Sequence, residues 1–163
     1  MSQIQANRDG SKALRNATWV VLADIERAKL VQCGLTVHDR CHVETIATIQ
    51  NDWPGHDHPK SSPLWKNTMV SYGVEDNESM EETKRFVSEV TEWLKRKMKT
   101  YDITSLVFLA PPRFVGVLRK TKFARTHSTN IIPHKGELVS LPARRLAGHA
   151  VIQGLVHAKQ DSE

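Results

Sequence analysis

The run Ile103-Thr-Ser-Leu-Val-Phe-Leu-Ala110 most constrains how this chain can fold. It is short, nearly continuous in apolar side chains, and stopped by Pro111-Pro112. A strand with one wet face alternates polar and apolar residues, whereas a run like this needs cover on both faces. It predicts a central strand with a layer of structure on each side. Just before it, Thr83, Phe86, Val87, Val90, Leu94 and Met98 recur at helical spacing. Ser79 is the expected N-cap, and Glu81 and Glu82 suit the first turn of a helix over about 79–100. Lys95, Arg96, Lys97 and Lys99 suit its last turns.

Three strands are expected upstream. Thr18-Trp-Val-Val-Leu-Ala23 is rich in β-branched and aromatic residues. Asp24-Ile-Glu-Arg27 breaks it, and Ala28-Lys-Leu-Val-Gln-Cys33 reads as the return strand. His42-Val-Glu-Thr-Ile-Ala-Thr-Ile-Gln50 alternates, with Val43, Thr45, Ala47 and Ile49 on one face. Short links make these an antiparallel meander. Residues 51–79 are dense in turn formers and read as one long loop. Downstream, Pro112 opens a helix carrying Phe114, Val115, Val117 and Leu118. Asn130-Ile-Ile132 is a short last strand, and Leu141-Pro142 opens a final helix to about His157. Its expected stripe is Leu146, Ala150 or Val151, and Leu155.

The expected fold is thus α/β, with a five-stranded mixed sheet. Three antiparallel strands are followed by alternating helix and strand, in a ribonuclease H-like order set by right-handed crossovers. At 163 residues one domain is expected, over 17–157, with a flexible arm at 1–16 and a polar tail at 158–163. No secretory signal and no membrane-spanning apolar run is present, so a cytoplasmic location is expected. Cys33 and Cys41 make no disulfide framework. Nothing in the sequence sets an oligomeric state.

The net charge of +5 is unevenly placed. Residues 111–163 carry nine basic and three acidic side chains, while residues 51–80 carry two and five. Arg113, Arg119, Lys120, Lys122, Arg125, Arg144 and Arg145 are the candidate polyanion or RNA contacts, with Lys135 between the two groups. A solvated basic surface is the simpler alternative, since no aromatic residues for base stacking interleave.

Other motifs point to less. No phosphate-binding glycine loop, H-E-x-x-H, C-x-x-C or G-x-S-x-G occurs. His56, Asp57 and His58 begin a metal-like set, but in a run of turn formers a solvated loop is the simpler reading. Cys33, His38, Cys41 and His42 lack the close paired spacing of a zinc site. A two-metal nuclease needs converging carboxylates. Asp24 and Glu26 sit in a turn, and the strand 103–110 ends without an acid. No metal, cofactor or catalytic residue is therefore assigned.

Two segments carry a family resemblance: Trp19-Val-Val-Leu-Ala-Asp-Ile-Glu-Arg-Ala-Lys-Leu30 and Leu106-Val-Phe-Leu-Ala-Pro-Pro-Arg-Phe-Val-Gly-Val-Leu-Arg119. They resemble the bacterial host attachment protein family, described as required for attachment to host cells. Ala110, Pro111, Pro112, Arg113, Phe114, Gly116, Leu118 and Arg119 reproduce its second motif. The family's later Lys-Asp-Leu-Thr segment is replaced by Ile132-Pro-His-Lys-Gly-Glu-Leu-Val-Ser-Leu-Pro142. That family is similar to the middle domain of archaeal and eukaryotic class I release factors. The likeness implies the same strand and helix order and a role with the ribosome or tRNA. In release factors a Gly-Gly-Gln tripeptide after the third strand positions water on the peptidyl ester. The corresponding region here has only the isolated Gly55 and Gly73. The expected function is a non-catalytic, release-factor-like domain that binds RNA or the ribosome through a basic face at 113–145. One alternative is a hydrolase of a tRNA- or nucleotide-linked ester that uses the 51–79 loop. Another is a cytoplasmic interaction protein with an indirect role in attachment.

Overall fold

A computed structural model of the chain describes residues 14–52, 72–135 and 138–161. Its sheet comprises β1 (Arg15–Ala23), β2 (Arg27–Leu35), β3 (Cys41–Gln50), β4 (Ser105–Ala110) and β5 (Ser128–Pro133). The strand order is β3-β2-β1-β4-β5. β1 pairs antiparallel with β2, as does β2 with β3, while β4 lies parallel to both β1 and β5. This is the mixed five-stranded α/β sheet that the sequence predicts.

Helices α1 (Tyr72–Tyr101), α2 (Pro112–Arg119) and α3 (Lys122–Thr126) cover one face. Their Phe86, Val90, Leu94, Phe114, Leu118 and Phe123 pack with Val21, Leu30, Leu106 and Phe108 of the sheet. A 3₁₀ turn at Leu138–Ser140, α4 (Ala143–Ala147) and α5 (Ala150–Asp161) cover the other. There Leu138, Leu146, Ile152 and Val156 meet Val20, Leu22, Val31 and Leu109. β4 thus sends Leu106 and Phe108 into one core and Leu109 into the other, as its continuous apolar run requires. Among the described residues no helix is long and apolar enough to cross a membrane.

Several boundaries differ from those expected. α1 starts at Tyr72 rather than Ser79, which removes residues 72–79 from the expected loop. Gly73, Asp76 and Asn77 suggest turns, but acidic residues at 75, 76 and 78 also suit a helix N-terminus. α1 closes with Asp102 at a left-handed φ of 54° and the Ile103 N–H donating to the Met98 carbonyl at 2.8 Å. This is a Schellman close, with Ile103 and Met98 in the same core. β1 begins at Arg15 and Leu14 is fully buried, so the sheet reaches into the expected arm. The Arg15 guanidinium fastens that end, donating to the Thr36 carbonyl at 3.2 Å and pairing with Asp39.

β3 breaks its own alternation. Leu30 pairs with Ala47 and Val31 with Thr45, so Ile46 is an extra residue in a bulge. Val43 faces one core, while Ile46, Ala47 and Ile49 face the other. The expected single face through 43, 45, 47 and 49 is therefore split. At the C-terminus, one expected helix is two. Gly148 caps α4, and restarting at Ala150 shifts the helical phase, so Ile152 and Val156 are buried in place of Val151 and Leu155. α5 continues to Asp161, into the expected tail.

Candidate nucleic-acid interface

α2 is placed by its two prolines and its apolar face. Pro111 is extended (φ −60°, ψ 154°), Pro112 occupies the first turn, and the Val115 N–H donates to the Pro111 carbonyl at 3.0 Å. Phe114 is fully buried, edge-on to Phe86 at 6.3 Å and tilted against Phe108 at 5.8 Å between ring centres. With Phe114, Val115 and Leu118 inward, helical geometry turns Arg113, Gly116, Arg119 and Lys120 outward, and all four are exposed.

Thr121 joins α2 to α3. Its hydroxyl donates to the Leu118 carbonyl at 2.6 Å and accepts from the Ala124 N–H at 3.3 Å. It is the N-cap of α3, a helix the sequence expectations omit although the capping threonine is legible. Phe123 anchors α3 in the core and leaves Lys122 and Arg125 exposed. Five cations thus stand on two adjoining short helices over one apolar core.

Residues 103–136 hold six basic side chains and no acidic one. α1 balances its charge locally: Lys84 pairs with Glu81 at 3.5 Å and Lys95 with Glu92 at 3.0 Å. Arg119, Lys120, Lys122 and Arg125 have no carboxylate partner among the described residues. A polyanion can engage these side chains without first breaking ion pairs.

The remaining expected contacts do not join this surface. Arg144 and Arg145 are exposed on α4, whose Leu146 belongs to the core on the opposite side of the sheet. α4 also runs beside β3, one edge strand, whereas α2 and α3 lie near β5, the other edge. The span 113–145 is therefore not one basic face. Lys135 is exposed just after β5. His56, Asp57 and His58 lie outside the described residues.

Asp24 serves the β1–β2 turn. Its Oδ1 accepts from the N–H groups of Glu26 at 2.7 Å and Arg27 at 2.9 Å. Asn51 ties the end of β3 to this turn, its side chain donating to the Ile25 carbonyl at 3.0 Å. Cys33 and Cys41 are free thiols, and burial, with Cys41 nearby, pushes the Cys33 thiol up to about 12. Burial also raises Cys41. Among the described residues no group of three or more His, Cys, Asp or Glu side chains is arranged to hold a metal ion.

A family model, bacterial archaeo-eukaryotic release factor family 12, matches residues 17–129. The match runs from β1 into β5 and includes α2 and α3 whole. No curated protein matches the chain. Among solved structures, a chain of the "Model of ribosome-bound archaeal Pelota and ABCE1" is similar at 15% identity with a TM-score of 0.41. The similarity covers 80% of this chain and 30% of that one, so this chain spans less than a third of its length.

Proposed function

The chain belongs to bacterial archaeo-eukaryotic release factor family 12, and from that membership we propose that it is a ribosome-associated, non-catalytic domain that binds RNA through α2 and α3. The acid-free stretch 103–136, whose cations at 113, 119, 120, 122 and 125 stand exposed on one surface, carries this reading. Binding is favoured over ester hydrolysis because the sequence contains no Gly-Gly-Gln. The host-attachment half of the resemblance is not part of the matched family's description. Arg144 and Arg145 are left out of the interface because their helix packs on the opposite face.

Each Lys or Arg that neutralises a phosphate releases condensed counterions, so affinity falls with salt in proportion to the contacts made. Replacing Arg113, Arg119, Lys120, Lys122 and Arg125 together by Gln lowers RNA affinity and ribosome co-sedimentation. It also flattens log K against log salt by up to about four units. Replacing Arg144 and Arg145 leaves both unchanged. Equal binding and equal slope in the five-fold variant would overturn the reading.

A further inference from the structure

Gly116 lies on the exposed side of α2, three residues after Arg113 and three before Arg119. A glycine inside a helix is destabilising relative to alanine because it orders a freer backbone. Some helix glycines are required by a positive φ or by a neighbour pressed against them. Gly116 has neither: its φ is not in the left-handed region, and a Cβ built on it meets nothing within 4 Å. Its effect is outward. It leaves a strip of bare helix backbone between exposed cations.

A helix rises 1.5 Å per residue, so Arg113 and Arg119 stand about 9 Å apart along the axis, with Gly116 midway. Lys120 sits one turn beyond Gly116 on the same side. The result is a low saddle flanked by positive charge, suited to a rigid anionic ridge that comes close to the helix.

Among the described residues, the surface of α2 and α3 exposes no Phe, Tyr or Trp ring on which unpaired bases could stack. Single strands are held largely by stacking on exposed aromatic rings. Here Phe114 and Phe123 are buried. Among the described residues the exposed large apolar side chains are Val37 and Tyr101, in the β2–β3 turn and at the end of α1. Double-stranded RNA is recognised by shape and by phosphate and 2′-hydroxyl contacts, with no stacking platform.

We propose that the saddle at Gly116, with Arg113, Arg119 and Lys120 around it, seats the sugar-phosphate backbone of an A-form RNA helix. This rests on the RNA-binding reading above and adds the conformation of the RNA and the point of closest approach. The test titrates the full chain with a blunt RNA duplex of roughly 20 base pairs, one of its strands made unstructured, and the DNA duplex of the same sequence. The RNA duplex binds about tenfold more tightly than either competitor at equal salt. Gly116→Leu weakens duplex binding by about tenfold while the thermal melt stays at or above that of the parent, because the position is open. Gly116→Ala, the smallest intrusion, weakens it less. Undiminished duplex binding by Gly116→Leu, or equal binding to single strand or DNA, overturns the proposal. If the five-fold Gln variant loses RNA but Gly116→Leu does not, this inference fails alone. If neither variant loses RNA, the RNA-binding reading fails with it.

Discussion

Gly34→Ala tests the packing that draws Leu14 and Arg15 into the sheet. A Cβ at Gly34 lies 2.9 Å from the Arg15 carbonyl oxygen and 2.9 Å from the Leu14 Cβ, with the Ala17 Cα at 3.5 Å. Carbon atoms pack best about 3.5–4.0 Å apart, so the start of β1 must retreat by roughly 0.5–1 Å. These neighbours are backbone or β-carbon atoms and have no rotamer by which to swing away. The retreat disturbs the Arg15–Leu35 pairing and the hold of Arg15 on Asp39 and Thr36. Overpacking of this kind costs about 1–3 kcal/mol. For a domain of this size each kcal/mol moves Tm by about 2–4 °C, so the melt falls by about 2–12 °C. Gly116→Ala has the opposite sign, since its Cβ meets nothing within 4 Å. It gains about 0.5–1 kcal/mol, or roughly 1–4 °C. Calorimetry on parent and both variants gives the comparison. A Gly34→Ala melt equal to or above the parent's would refute the close approach of β1 to β2.

Two further outcomes follow from the cores. Phe114→Ala removes the ring packed against Phe86 and Phe108 and costs about 3–5 kcal/mol, read from urea midpoints; a loss under about 1 kcal/mol would mean that α2 is not held by this ring. Cys33 keeps its proton in the fold up to about pH 12, whereas the unfolded thiol releases it near 9.0. The folded value is raised, so its contribution is complete below 9.0 and is lost as pH climbs to about 12. The slope is at most about 1.4 kcal/mol per pH unit, and Cys33→Ala reduces it; an equal alkaline loss in that variant would remove Cys33 as the cause.

Much of the fold was legible because its causes are local. The period of Phe86, Val90 and Leu94 reports a buried helical stripe whatever surrounds it. Pro111-Pro112 stops a strand and opens a helix through its own ring geometry. The start of α1 at Tyr72 is not legible in sequence because Gly73, Asp76 and Asn77 suit a turn, while the acidic residues there also suit a helix N-terminus. α3 shows no sequence period because five residues are too few for one, although Thr121 and Phe123 supply its cap and anchor.

The sequence alone determined that Ile103–Ala110 must be covered on both faces, and that the positive charge collects after Pro112. Only the tertiary structure decided which of those charges share a surface. Arg113 to Arg125 and Arg144–Arg145 are neighbours in a list of basic residues, but the sheet lies between their helices. The bulge at Ile46, the break at Gly148 and the contact of Gly34 with Leu14 share that origin. Each depends on where a distant strand or helix packs. A run of side chains reports its own period and turns, but not which face of a sheet its helix covers or which backbone comes within 3 Å of it.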